Sequence, residues 1–150
     1  MKLISFNTNS IRIRGHQLEA LINTHNPDVI GIQETKVTDE DFPTEMIEEL
    51  GYHAEFYGQK THYGVALLSK QPPSKVIQGL PDDVEDSQRR LITGTYDLKG
   101  HGAVTVINGY FPQGESRTHP TKFPAKIAFY RGLIDLLKTQ YSPKDKLVVM

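Results

Sequence analysis

The 150-residue chain contains no cysteine. That rules out a disulfide framework, a thiolate-held zinc and a cysteine nucleophile, and it suits a reducing compartment. An excess of charge of one sign is missing too: 17 Lys and Arg stand against 18 Asp and Glu, a formal net charge of −1. No global field therefore draws nucleic acid to the molecule, and any such binding has to come from a local patch. Long apolar runs are also absent. The opening Met1-Lys2-Leu3-Ile4-Ser5-Phe6-Asn7 is too short in apolar residues for a signal peptide, and no segment reaches the length of a membrane span. There is no repeat and no low-complexity tract. Hydrophobic residues make up 37% of the chain, below the usual share of a compact domain yet far above the disordered class. The expectation is a soluble, cytoplasmic protein with one ordinary core.

What is present reads as a mixed α/β chain. Alternation predicts a strand over 2–7. Leu18, Leu21 and Ile22 recur at helical spacing, which predicts a helix over 11–23 that the Asn26-Pro27 pair terminates. A continuous apolar run, Val29 to Gln33, is short enough to be a buried strand. A short helix is expected over 44–50, closed by Gly51. Short strands follow over 53–57, 64–69, 75–78 and 90–96, separated by turns rich in Gly, Pro and Asp, and another over 103–110. A helix is expected over 124–141, with Ile127, Tyr130, Leu133, Ile134 and Leu137 on its apolar face. A last strand begins near Lys146. Such alternation fits stacked layers, with helices outside strands.

Three of these strands finish in chemistry. The first ends at Asn7 and Asn9, the second at Gln33 and Glu34, and the strand from Ala103 at Asn108 and Tyr110. A carboxylate closing a buried strand is expensive unless a cation or hydrogen bonds compensate it, and ligands sit beyond the carboxyl ends of strands in open α/β sheets. Glu34 is therefore the first candidate metal ligand, offering hard oxygen suited to Mg²⁺ or Mn²⁺. Asn7 would hold that carboxylate or contact the ion itself. Tyr110 would donate a hydrogen bond to a phosphate oxygen, or act as phenolate if neighbouring cations lower its pKa. Each has an ordinary alternative: a solvated turn carboxylate, a turn asparagine and a half-buried packing tyrosine. Basic residues cluster after the same tips. Arg12 and Arg14 follow the first strand, Lys36 follows Glu34, and Arg117, Lys122 and Lys126 follow Tyr110, whereas Arg89 and Arg90 open a strand. Lys and Arg are the usual source of phosphate affinity, and equally common as plain solvated surface.

Taken together, several blocks are more specific: Ser5-Phe6-Asn7-x-Asn9, Pro27-Asp28-Val29-Ile30-Gly31-x-Gln33-Glu34-Thr35-Lys36, Gly58-Gln59-Lys60-x-His62-Tyr63-Gly64-Val65-Ala66, Gln88-Arg89-Arg90 and Asn108-Gly109-Tyr110-Phe111-Pro112-Gln113-Gly114. Over essentially its whole length the chain resembles the bacterial exonuclease III group of the endonuclease/exonuclease/phosphatase superfamily. The resemblance implies a four-layer α/β sandwich, two packed mixed sheets flanked by helices. It implies Mg²⁺- or Mn²⁺-dependent hydrolysis of double-stranded DNA: 3′-to-5′ exonuclease, incision at abasic sites and removal of 3′-phosphates. By the same likeness Glu34 is the metal-ligand glutamate with Asn7 beside it, and Tyr110 is the catalytic tyrosine. Arg90 and Gln113 are phosphate-contacting positions, and Arg12, Lys36 and Tyr63 lie on the DNA side. The group usually has glycine where Ser10 stands, a departure that costs energy if the turn needs positive φ.

The chain closes on Leu147-Val148-Val149-Met150, strand-like and without a following turn or cap. This predicts the N-terminal portion of a single catalytic domain cut after about half, inactive and poorly folded by itself. The resemblance implies that later segments carry a Gly-Asp-x-Asn motif, a further aspartate and an Asp-His pair, together with the partner sheet. The intact protein is expected to be a monomer acting on duplex DNA with abasic sites or 3′ ends, away from membranes. The rival reading is a non-catalytic module that binds DNA or protein through the same strand-end surface.

Overall fold

A computed structural model describes residues 1–100 and 102–150. These form two compact units: Met1–Gly79, Gln88–Tyr110 and Lys146–Met150 make one, Leu80–Ser87 and Phe111–Asp145 the other.

The first unit holds eight strands. β1 (Leu3–Asn7), β2 (Val29–Gln33), β3 (His53–Tyr57) and β4 (Val65–Ser69) form one sheet in the order β1-β2-β4-β3; β5 (Lys75–Gln78), β6 (Leu91–Leu98), β7 (Gly102–Gly109) and β8 (Leu147–Val149) form another, in chain order. β1 and β2 run parallel with Asn7 opposite Gln33, and β4 runs antiparallel to β2 with Val65 opposite Gln33. In the second sheet β6 and β7 are antiparallel with Leu91 opposite Gly109, and β7 and β8 are parallel.

β2 and β4 are buried along their whole length, which is why they read as unbroken apolar runs rather than alternating ones. One face of the first sheet packs under α1 (Gly15–His25) and α2 (Thr44–Glu49): Ile4, Phe6, Ile30, Ile32, Ala66 and Leu68 meet Leu18, Leu21, Ile22 and Ile47. The opposite face, with Val29, Val65 and Leu67, packs on Ile92, Tyr96 and Val106 of the second sheet. The α/β sandwich expected from the resemblance is thus observed as helices on one sheet and that sheet on another. The expectation that the partner sheet lies outside this chain is corrected. The run of strands after residue 52 divides, β3 and β4 joining the first sheet and β5 onward building the second, so the inner face of each sheet is covered within the chain.

A buried amide ties the sheets together at the middle of the sandwich. Asn108, fully buried, donates through Nδ2 to the carbonyls of Ile32 (2.8 Å) and Ala66 (2.9 Å) and accepts from Gln33 Nε2 at 2.5 Å. Gly31 is required at this point: a Cβ there would lie 2.5 Å from Met150 Cε and 2.8 Å from Asn108 Oδ1. Asn108 and Gln33, read from the sequence as strand-end chemistry, are therefore structural.

Two further expectations are corrected. The helix expected over 11–23 is a 3₁₀ turn, Ile11–Ile13, followed by α1, because the Ser10 and Ile11 amides bond to the Glu34 and Thr35 carbonyls (2.8 and 3.1 Å) and hold the chain off the helix. In the second unit α3 (Lys122–Gln140) buries Leu133 and Leu136, while Tyr130 and Ile134 are exposed. Phe111 packs there against Phe129 and Tyr130, with ring centroids at 5.5 and 5.6 Å.

Candidate functional site

The topology brings several chain segments to one rim of the first unit. β1 and β2 end there because they are parallel and in register; β4 begins there because it is antiparallel to β2. The ladder continues beyond the strands. Thr8 N bonds to Gln33 O (3.0 Å), Thr35 N to Gly64 O and Lys36 N to Tyr63 O (both 3.1 Å), Gly64 N to Arg89 O (3.0 Å), and Tyr110 N to Arg90 O (2.7 Å). The antiparallel pairing of β6 with β7 is what puts Arg90 beside Tyr110, at the same rim, although in sequence it precedes a strand instead of following one.

Five non-glycine residues at this rim have left-handed backbone: Asn9 (φ 45°), Ser10 (φ 90°), Glu34 (φ 56°), Lys36 (φ 56°) and Tyr63 (φ 63°). Such conformations cost about 1–3 kcal/mol each and persist only where surrounding bonds over-determine them, as the cross-strand amide bonds do here. The Glu34 carboxylate on this segment meets Asn7 and Lys36. Gly64, at φ 82°, is obligatory because a Cβ would collide with the Thr35 hydroxyl.

Glu34 is the centre of that cluster. Its Oε1 accepts from Asn7 Nδ2 at 2.8 Å, its Oε2 lies 3.1 Å from the Lys36 ammonium, and the Tyr110 phenol is within hydrogen-bonding reach. Asn7 is itself held, since Oδ1 accepts the Asn9 amide at 3.0 Å. Lys36 also donates to Asn9 Oδ1. Partial burial opposes ionisation of Glu34, but the bonds from Asn7, Lys36 and Tyr110 outweigh it and hold the carboxyl below its ordinary pKa. Glu34 is an anion at neutral pH.

Tyr110 shifts the other way. Burial and the hydrogen bond to Glu34 raise its pKa, and Arg90 offsets only part of this. With these neighbours it is a neutral phenol and a donor. Arg90 lies between two rings, its Cζ 4.3 Å from the Tyr63 centroid and 4.7 Å from that of Tyr110. Its Nη1 donates to Tyr110 O (2.9 Å) and its Nε to Gln88 Oε1 (2.7 Å). Burial lowers the Arg90 pKa while Tyr63, Tyr110 and Glu34 pull it back, and a guanidinium so flanked remains charged. The neighbouring Arg89 is structural, bound to Asp39 Oδ2 (3.1 Å) and Gly58 O (2.6 Å) and stacked over Tyr57.

Glu34, Asn7, Tyr110, Arg90, Lys36 and Tyr63 are thus brought together. Arg12 is exposed on the 3₁₀ turn after β1 and bonds to none of them. Gln113 belongs to the second unit, where its side chain is exposed and its carbonyl accepts from Lys126 Nζ at 3.3 Å. Two residues that the sequence marked without assigning a role prove to be supports: Asn9, at the end of the first strand, anchors both Asn7 and Lys36, and Gln88, in the block with Arg89 and Arg90, braces Arg90.

The donor set suits a hard divalent cation: carboxylate and amide oxygens with no soft ligand. It is small, and among the described residues no group of three acidic or histidine side chains is placed to hold a metal. Nor is any helix there long and apolar enough to cross a membrane.

The chain matches the model of the endonuclease/exonuclease/phosphatase family over residues 4–150. It is 54% identical to exodeoxyribonuclease III of Haemophilus influenzae over all 150 residues, covering 56% of that protein. Among solved structures, a Neisseria 3′ phosphatase bound to a product DNA hairpin superposes with a TM-score of 0.85 at 35% identity, covering 99% of this chain and 56% of that one. An AP endonuclease from Archaeoglobus fulgidus superposes with a TM-score of 0.85 at 33% identity, covering 99% and 55%. The chain therefore spans little more than half the length of these relatives. With nearly every residue inside the family match and both sheets superposing on solved members, the chain belongs to the endonuclease/exonuclease/phosphatase family.

Proposed function

We propose that these 150 residues are part of a single exonuclease III-like catalytic domain, in a protein that hydrolyses phosphodiesters of double-stranded DNA with Mg²⁺ or Mn²⁺. Its reactions would be 3′-to-5′ exonucleolytic cleavage, incision at abasic sites and removal of 3′-phosphates. The relatives support this reading by what they are: an exodeoxyribonuclease III, a 3′ phosphatase caught with a DNA product, and an AP endonuclease. The observation that carries it is an ionised Glu34, fixed by Asn7 and Lys36, beside the partly buried cation of Arg90 at one strand rim.

Glu34 and Asn7 would hold the divalent ion, which when bound polarises a phosphate and offsets charge on the leaving oxygen. The chain's own residues do the rest of what this half contributes. Asn7 sets the direction of the Glu34 carboxylate, so its lone pairs need not reorganise as charge develops. Arg90, clamped between two rings, presents a rigid positive fork to a phosphate oxygen. Tyr110, kept protonated, donates a hydrogen bond to an oxygen of the phosphate. Tyr63 offers its ring to the DNA side, and Arg12 and Gln113 would add phosphate contacts.

One carboxylate seldom retains a catalytic Mg²⁺ without further ligands, so residues 1–150 alone should be inactive. The test is cleavage of a duplex bearing one abasic site, by the full-length protein and by residues 1–150, with Mg²⁺ and with EDTA. Cleavage is expected from the full-length protein with Mg²⁺ alone. Cleavage that survives EDTA would refute the metal-dependent reading; robust cleavage by the fragment would refute the division of the site.

A further inference from the structure

The cation place at Glu34 is already taken. The Lys36 ammonium sits 3.1 Å from Glu34 Oε2 and also donates to Asn9 Oδ1, while Asn7 occupies the other carboxylate oxygen. The chain holds it there at a conformational cost, since Lys36 is itself left-handed at φ 56°, pinned by its amide bond to Tyr63 O. With about a quarter of its side chain exposed, Lys36 nevertheless has room to swing away.

We propose that Lys36 is an internal counter-ion, occupying the cation position at Glu34 until a divalent ion displaces it, and then free to contact a DNA phosphate. The proposal rests on the metal-dependent reading above and adds to it. A divalent ion and an ammonium cannot both lie against Glu34 Oε2 without repulsion, so binding of the ion and retention of the Lys36 contact exclude one another. The exchange has two consequences. Without metal, Glu34 is neutralised and the strained tip stays ordered. With metal, a cation is released where the nucleic acid backbone would run, so that the ion strengthens DNA binding as well as acting on the phosphate.

The sign of the test separates this role from a purely structural one. Removing Lys36 deletes the competitor, so Lys36→Gln in the full-length protein should bind Mn²⁺ about three- to tenfold more tightly, the range set by a partly exposed ion pair. Lys36→Arg keeps the charge and should stay near the wild type. Free Mn²⁺ is read by electron paramagnetic resonance, and duplex affinity by anisotropy with Ca²⁺ and with EDTA. Lys36→Gln should weaken duplex binding with Ca²⁺ and leave it nearly unchanged in EDTA. A structural lesion would loosen Mn²⁺ instead. Wild-type protein that binds Mn²⁺, with Lys36→Gln equal or weaker, overturns the counter-ion role and leaves the metal reading standing. Wild-type protein that binds no Mn²⁺ overturns both.

Discussion

Replacing Asn108 by Leu should sever its polar ties between the two sheets while keeping the heavy-atom count and branching of the side chain. The Asn108 amide is buried at 0% exposure and supplies the Ile32 and Ala66 carbonyls with a donor each, at 2.8 and 2.9 Å. Gln33 Nε2 loses its 2.5 Å contact but retains Ser5 Oγ at 3.0 Å, so its loss is partial. A buried polar group left unpaired costs about 1–3 kcal/mol, which for two carbonyls sums to about 2–6. Burying the Leu side chain returns about 1–2 kcal/mol. The net expectation is destabilisation by up to about 5 kcal/mol, with a midpoint of about 2.5, a large share of a typical domain's total stability. Urea unfolding of the full-length protein reads this as a lower midpoint at unchanged slope. A loss below about 1 kcal/mol would show that the Asn108 bonds add little to the packing between the sheets, and the clamp argument would fail.

Three further outcomes are expected. Ser10→Gly relieves a side chain forced to φ 90° and should raise stability by about 0.5–2 kcal/mol after the entropy of the added glycine, read by thermal unfolding; no gain would mean the turn carries no strain. Tyr110→Phe should lower turnover about 10- to 1000-fold with duplex affinity changed far less if, as proposed, the phenol donates to the reacting phosphate; equal rates would remove that role. The folded-state pKa of Glu34 is lowered, so its cluster contributes stability above the ordinary carboxylate value of 4.5 and loses it as pH falls below that value. Unfolding free energy measured from neutral to acid pH should therefore fall less steeply in Glu34→Gln than in wild type.

The strands were legible where burial made them plain. Val29–Gln33, His53–Tyr57 and Lys75–Gln78 have the bounds their apolar runs and turn residues mark. What periodicity could not reveal was partition. Whether β5 extends the first sheet or starts a second depends on pairings across tens of residues, and so did the location of Arg90, which only the β6–β7 ladder brings to Tyr110. The 3₁₀ turn over Ile11–Ile13 was hidden for the same reason, since carbonyls of the Glu34 segment hold it from outside. Glu34, Asn7 and Tyr110 were nominated from their place at strand tips and Arg90 and Tyr63 through the resemblance, yet the rim has left-handed backbone at Glu34, Lys36 and Tyr63, which composition does not mark. At Ser10 the sequence raised only a condition, a cost if the turn needs positive φ, and the turn has φ 90° there.

The central claim is that Glu34, at the meeting of these strand tips, is the carboxylate on which phosphodiester cleavage depends. Its direct test is the rate at which full-length Glu34→Ala incises an abasic-site duplex at saturating Mg²⁺, with circular dichroism and unfolding midpoint checked against wild type. A folded variant slower by about a thousandfold is the expected result. A folded variant that turns over at the wild-type rate would contradict the account.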